Sequence, residues 1–296
     1  MLAWLQRATT LGLVLLAATW AVYAWRAGHP VWAFTGAVLI VLFHALVLGI
    51  EFIVMRQVHG ADPSPRPTFA QTLRAWAGEV IAAVRVFCWR QPFRSERWPD
   101  HVPSNAAGRT GVVLVHGFVC NRGLWNAWLA RLTVRDQPFI AVNLPSVFGA
   151  IDPGASVVGA AVERLTRATG RAPLIVAHSM GGLVVRQWWC SQPGAEVQHV
   201  ITLGTPHQGT WLARFAMSLN GRQMRPGSAW LAAVSRDEPQ TRARQFTCFY
   251  SHCDNIVFPP TTATLPGANN RHLEGVAHVQ MVDRPEPWVE ALRWLS

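Results

Sequence analysis

The residues best suited to do chemistry in this 296-residue chain lie at positions 174–183, LIVAHSMGGL, where a serine stands between a β-branched apolar run and a second apolar run of helical character. A strand that ends at a small residue and turns at once into a helix forces its middle residue into a strained backbone conformation and lifts that side chain above the sheet edge. Ser179 is that residue, and its hydroxyl is left unhindered. Crowding at such a corner demands small residues two positions to either side, which Ala177 and Gly181 supply, with Gly182 next. The pentapeptide reads AxSxG instead of GxSxG, and alanine meets the same steric demand. Met180 opens the helix, so its NH points into the space above Ser179, where the helix dipole also favours negative charge. The chemistry this suits is nucleophilic attack on an acyl carbon, with a neighbouring base and NH donors for the oxyanion. A serine among glycines is, by itself, also what an ordinary turn looks like.

Context separates the two. About sixty residues upstream a second apolar strand, 111–115, ends in His116-Gly117-Phe118. Where strands end along one edge of a sheet, that loop lies beside the serine corner and offers the NH of Phe118 as a second oxyanion donor. With VHGF at 115–118, AHSMGG at 177–182 and GTPHQG at 204–209, the chain resembles the α/β-hydrolase superfamily, and more narrowly its lipase-like members. The resemblance covers the chain from about residue 110 onward. It implies a mostly parallel sheet flanked by helices, a serine nucleophile and no metal or other cofactor.

A serine hydroxyl needs an imidazole to take its proton, and the imidazole needs a carboxylate to fix its tautomer. The resemblance implies the chain order nucleophile, acid, histidine, each on a loop after a strand. Asp254 in SHCDNIVFPP and His278 in LEGVAHVQM match those places, with Gly275 freeing the second loop to bend. His116 and His178 adjoin the oxyanion loop and the serine, which aims them, with Gly117, at supporting roles. His207 in TPHQG is read as a cleft-shaping or supporting group, since no suitable carboxylate follows it closely. Among rival acids, Asp283 follows the histidine, Glu274 ends a strand below it, and Asp152 comes too early. Val279 and Gln280 stand where some secreted bacterial relatives carry a calcium-site carboxylate just after the histidine, so no metal site is expected.

The elements that must hold these groups alternate from Thr110 onward. Strands are predicted near 111–115, 138–143, 173–177, 198–203, 246–251 and 270–274, and helices near 122–132, 155–169, 180–190 and 285–295. Residues 205–244 break the rhythm where a cap would sit above Ser179. Short helical stretches there, around 211–217 and 228–235, bring Trp211, Leu212, Phe215, Met217 and Trp230 as candidate walls of an acyl pocket.

Half of the residues are hydrophobic and only 14% are charged, which is apolar for a soluble enzyme. The excess is concentrated at the start. Residues 8–25 carry no charge, and within 31–55 only His44 and Glu51 interrupt. Each run is long enough to cross about 30 Å of hydrocarbon as a helix, and joined through 26–30 they read as a transmembrane hairpin. A cleaved signal peptide over the first run is the rival reading, but the run is long for one and lacks a small-x-small site before Trp25. Trp20, Tyr23, Trp25 and Trp32 cluster at the connection as interfacial anchors, and Trp4 marks the other interface. Arg7, Arg56 and Arg66 flank the ends while Arg26 alone marks the loop, so the positive-inside bias places the large domain in the cytoplasm. His44 and Glu51 share a helix face. The plain reading gives Glu51 to Arg56 or water, and makes His44 neutral and bonded to the first helix.

The net charge of +10 comes from 26 basic residues, all arginine and scattered without a run, so anionic lipid headgroups are the expected partner and nucleic acid is not. The five cysteines lack metal-ligand spacing; Cys248 and Cys253 could pair across a bend, but small buried thiols are the simpler reading. After a proline-rich break at 61–67, Thr68 and Gln71 form a capping box. The helix that follows, to about Arg90, carries an apolar stripe of Phe69, Leu73, Trp76, Val80, Val84 and Phe87, suited to the membrane interface or to the hydrolase core.

The chain therefore divides into a hairpin at 1–60, an amphipathic helix and linker at 61–108, and a catalytic domain at 109–296 with its cap at about 205–244. The function expected is that of a membrane-anchored serine hydrolase cleaving lipid-like carboxylic esters. The same triad would serve an acyltransferase, thioesterase or amidase. A non-catalytic membrane-anchored scaffold is the alternative of another class.

Overall fold

Short runs rich in Val, Ile, Leu and Phe become strands buried on both faces, as a parallel sheet covered by helices requires. The computed structural model describes residues 1–295. Its strands are β1 (Val112–Val115), β2 (Phe139–Ala141), β3 (Leu174–His178), β4 (His199–Leu203), β5 (Phe246–Tyr250) and β6 (Asn269–His272). They form one parallel sheet in the order β2-β1-β3-β4-β5-β6. Each lies within two residues of its predicted place. Polar β6 forms one edge, and at the other His101, from the stretch expected as linker, pairs antiparallel with Phe139 of β2 and partly covers that edge.

The helices in chain order are α1 (Leu2–Arg26), α2 (Pro30–Val58), α3 (Phe69–Ala83), α4 (Gln91–Arg94), α5 (Asn126–Val134), α6 (Pro153–Thr169), α7 (Met180–Ser191), α8 (Leu219–Gln223), α9 (Ala229–Asp237) and α10 (Pro285–Leu292). A π-helical stretch, Val84–Arg90, joins α3 to α4. Alternation along the strands sorts the core into two layers. Val113, Val115, Ile175 and Ala177 face α6, α7 and the cap. Val112, Leu114, Leu174 and Val176 face α5, α10 and the π-helical stretch.

Helices α1 and α2 are long and apolar enough to cross a membrane, and most of their surface is exposed. At a 1.5 Å rise per residue they extend about 38 and 44 Å. Small residues let them approach closely: Ala17, Ala24, Ala33 and Ala45 are buried, and a Cβ at Gly36 would lie 1.9 Å from the Trp20 indole nitrogen. His44 bonds to Val41 O of its own helix at 3.1 Å and not to the first helix.

The hairpin does not hang free. Phe52 and Met55 of α2 and Ala75 of α3 form a third apolar cluster with Cys253, Phe258 and Ala277 from the loops after β5 and β6. Burying Phe52 and Met55 there contributes about 1.5–3 kcal/mol each. The capping box forms as predicted, with Gln71 N donating to Thr68 Oγ1 at 3.2 Å and Thr68 N to Gln71 Oε1 at 2.8 Å. The apolar stripe from α3 to Phe87 faces the core in part: Trp76 packs on the cluster with Phe52 and Phe258, and Phe87 on the layer with Val112 and Leu114. Phe69, Leu73 and Val84 are exposed, while Thr72, Ala75, Glu79 and Val86 are buried. Specific partners outweigh hydrophobicity on that face: Thr72 accepts from Arg56 at 2.8 Å, and Glu79 is bonded to backbone NH groups. All five cysteines are free.

Candidate active site

The sheet order reverses at β1, which lies between β2 and β3, and in open α/β sheets that reversal opens a crevice at the strands' C-terminal ends. Because Val115 pairs with Ala177, residues 116–117 and 178–179 emerge side by side. Ser179 has φ 54° and ψ −131°, a conformation that costs on the order of 1–3 kcal/mol in a non-glycine residue. Its neighbours hold it there. Ser179 N donates to Leu203 O at 2.8 Å, and Thr205 Oγ1 donates to Ser179 O at 2.8 Å. The small residues are sterically required: a Cβ on Gly181 would stand 2.6 Å from two backbone oxygens, and one on Gly182 would stand 2.3 Å from Thr205 Oγ1.

Gly117 brings the preceding loop onto the serine, since a Cβ there would lie 2.7 Å from Ser179 Cβ. Two residues on, Val119 has φ 54°, unusual for a β-branched residue, and nothing in the sequence signalled it. Met180 is the first residue of α7, so its NH has no acceptor within the helix. Phe118 follows Gly117 and sets its ring edge-on to Phe148, centroids 5.9 Å apart.

Asp254 and His278 are brought together. Asp254 Oδ1 accepts from Ile256 N at 2.9 Å and Val257 N at 2.8 Å, which aims Oδ2 at His278 Nδ1, 2.9 Å away. This pairing puts the proton on Nδ1 and leaves Nε2 with its lone pair. Burial alone would lower the His278 pKa, but the charge and hydrogen bond of Asp254, with Glu79 and Glu51 further off, raise it above 6.5. Gly204 lies between the pair and the serine corner: a Cβ on it would stand 2.9 Å from Asp254 Oδ2 and 3.0 Å from His278 Nδ1, while its neighbour Leu203 accepts from Ser179 N.

His116, His178 and His207 make other contacts. Leu144 N donates to His116 Nε2 at 3.0 Å, so His116 Nδ1–H donates to Gly117 O at 2.9 Å, tying the β1 loop to the loop after β2. Burial lowers the His116 pKa to about 4, keeping it neutral. His178 lies 4.6 Å from the His278 ring and bonds through Nε2 to His278 O at 3.2 Å. His207 is buried among Thr202, Cys248 and Phe246, with its ring nitrogen Nε2 toward Thr202 Oγ1 and Cys248 Sγ. Trp211 stacks on Phe258 and packs on the cluster that also contains Phe52 and Met55 of α2. Phe215 and Met217 are exposed, and α8 ties the cap to the loop after β2 through Leu219 N to Phe148 O (3.3 Å) and Asn220 N to Gly149 O (3.1 Å). A groove of about 1160 Å³ between α6 and α7 contains none of these groups.

Two acidic residues reach the site from outside the expected set. Glu51 of α2 accepts from Asn255 Nδ2 at 2.7 Å and does not pair with Arg56, which donates to Pro67 O and Thr72. Glu79 of α3 accepts from the backbone of Val279 and Gln280.

A parallel sheet of this order, with a strained serine at a strand-to-helix corner beside its switch point, is the α/β-hydrolase architecture. The chain belongs to the alpha/beta hydrolase family, which it matches over residues 112–295. It is 33% identical over 98 residues to the pimeloyl-[acyl-carrier protein] methyl ester esterases of Yersinia pseudotuberculosis and Yersinia pestis, a match spanning 33% of this chain and 37% of theirs. Its fold is similar to that of a mature Bacillus licheniformis lipase, with TM-score 0.57 and 16% identity over 66% of this chain and 96% of that one. It is also similar to Aspergillus fumigatus lipase B, with TM-score 0.52 and 18% identity over 68% and 56% of the two chains.

Proposed function

We propose that this chain is a membrane-anchored serine hydrolase that cleaves carboxylic esters of lipid-like substrates, with Ser179 as nucleophile, His278 as base and Asp254 as its orienting carboxylate. The observations that carry this reading are the strained backbone of Ser179 and the buried 2.9 Å Asp254–His278 pair beside Gly204, whose neighbour Leu203 accepts from Ser179 N. Identity with methyl ester esterases over part of the chain supports an ester as the bond attacked.

In the reaction, His278 Nε2 takes the Ser179 proton as Oγ bonds to the ester carbon. The carbonyl oxygen becomes an oxyanion held by the NH groups of Phe118 and Met180. Collapse expels the alcohol, protonated by His278, and leaves an acyl-serine. Water then gives a proton to His278, attacks the acyl carbon and releases the acid, restoring the serine.

Three features support a lipid-like substrate delivered at a membrane. Helices α1 and α2 expose apolar surface over lengths sufficient to span. The end of the hairpin that meets the domain adjoins the site: Gln6 Nε2 donates to Val119 O at 3.4 Å, and Glu51 reaches the loop carrying Asp254. Phe148, Phe215, Met217 and Leu219 form an exposed apolar rim on the cap and the loop beside Phe118. Arg7, Arg56 and Arg66 at the hairpin base give the domain a cytoplasmic position by the positive-inside bias. The test is hydrolysis of p-nitrophenyl esters of increasing acyl length by the full chain in lipid nanodiscs. Rates should rise beyond short chains; no turnover of any ester would overturn the reading.

A further inference from the structure

Resting on the assignment of His278 as base, we propose that Glu79 of α3, together with Glu51 of α2 acting through Asn255, positions His278, so that the N-terminal helices are part of the catalytic centre and not merely a tether. Three consecutive backbone NH groups, those of residues 278, 279 and 280, are held this way. His278 N donates to Asn255 Oδ1 at 3.3 Å, and Asn255 Nδ2 donates to Glu51 Oε2 at 2.7 Å. Val279 N donates to both Glu79 oxygens, at 2.9 and 3.1 Å, and Gln280 N donates to Oε2 at 3.1 Å. These residues open the 3-10 turn Val279–Asp283, of which His278 is the N-cap. Glu79 therefore puts a carboxylate where the turn presents its unpaired NH groups.

The same helical run brackets the whole loop. Gln71 Nε2 donates to Glu274 Oε1 at 2.7 Å at one end, and Arg90 Nη1 donates to Asp283 Oδ1 at 3.0 Å at the other. Glu79 sits between them, 1% exposed. A buried carboxylate is an expensive way to fix a loop, because a neutral amide would offer an oxygen to the same NH groups. What the carboxylate adds is charge. The groups facing His278 are Asp254 from the loop after β5, Glu79 from α3, Glu51 from α2 and the neutral His178 from β3. The imidazolium that forms during acyl transfer thus lies among three carboxyl groups from three separate elements. Burial pushes the Glu79 carboxyl up to about 7, opposed by its NH donors and by His278, so the negative charge it adds beside His278 is present from about neutral pH upward.

The test uses the full chain in nanodiscs, measuring kcat and KM on p-nitrophenyl butyrate against pH, with melting temperature as a check on folding. Glu79→Gln keeps an acceptor and removes the charge. Its kcat should fall on the order of tenfold or more, as expected when a catalytic group loses its alignment. KM should stay within twofold of wild type, and the acid limb of the profile should move to lower pH. A folded Glu79→Gln with wild-type kcat and an unmoved acid limb overturns the inference and leaves Ser179 as nucleophile untouched. Where Glu79 variants do not fold, Glu51→Gln is read in the same way, and an unchanged kcat and limb there also overturns it. Fluorophosphonate labelling of wild type separates the two levels: failure to label removes the serine-hydrolase reading itself, whereas labelling of Glu79→Gln at the wild-type rate removes only the positioning role.

Discussion

Gly204→Ala perturbs the proposed triad without altering any member of it. Gly204 has φ +54°, and its added Cβ would stand 2.9 Å from Asp254 Oδ2, 3.0 Å from His278 Nδ1 and 3.2 Å from His278 Cε1. The left-handed backbone costs alanine about 1–2 kcal/mol, and forcing a methyl into a packed site adds about 1–3 kcal/mol. The sum is about 2–5 kcal/mol against a typical folding stability of about 5–15 kcal/mol, so the variant should fold with a lowered melting temperature. Relief of the overlap requires Asp254 and His278 to move by several tenths of an ångström, away from a 2.9 Å hydrogen bond already fixed by Ile256 N and Val257 N. Misplacement of a catalytic group on the ångström scale lowers rate about 10²-fold. Gly170→Ala is the control: φ is +69° and nothing lies within 4 Å, so only the backbone cost applies. The assay is kcat on p-nitrophenyl butyrate beside thermal melting for both variants. Equal activity of the two, with Gly204→Ala folded, would refute the placement of the pair.

Other consequences are open to simple measurement. The acid limb of kcat/KM should have its midpoint above 6.5, because the proposed base His278 acts in its neutral form and the carboxylates around it outweigh the effect of burial; a limb below 6.5 contradicts that arrangement. Asp254→Asn should lower kcat by about 10⁴-fold by releasing the tautomer, with a fall of less than tenfold counting against the role. Arg186→Leu should cost about 3–5 kcal/mol, since it strips Glu238 of bonds at 2.7 and 3.0 Å and His207 O of one at 3.0 Å in the interior; a melting temperature near wild type would show that the pair is dispensable. Carbonate extraction should leave the full chain in membranes, and its release would contradict spanning by α1 and α2.

Local pattern made most of the catalytic domain legible. Ala177, Ser179 and Gly181 announced a strained corner because sterics at a strand-to-helix turn act over five residues, and φ 54° at Ser179 follows. The β-branched runs fixed the strands for the same reason. What stayed hidden depends on partners far away in the chain. Glu79 and Val279 are 200 residues apart, and Glu51 and Asn255 are 204 apart, so no window of sequence contains both. The stripe on α3 misled for a related reason. Hydrophobicity picks out Phe69 and Leu73, which are exposed, as readily as Trp76 and Phe87, which pack on the core, and it passes over Thr72, bonded to Arg56, and Glu79, bonded to the backbone of Val279 and Gln280. His207, expected as a cleft-shaping or supporting group, has its side chain buried between Thr202 and Cys248, partners that its own stretch of sequence does not reveal.

The most direct measurement is to treat the full chain in nanodiscs with a fluorophosphonate and map the adduct by peptide mass spectrometry. A single adduct on Ser179, formed more slowly at acid pH and absent from Ser179→Ala, is the predicted result. An adduct on any other residue, or undiminished labelling of Ser179→Ala, would contradict the claim that the strained serine is the nucleophile.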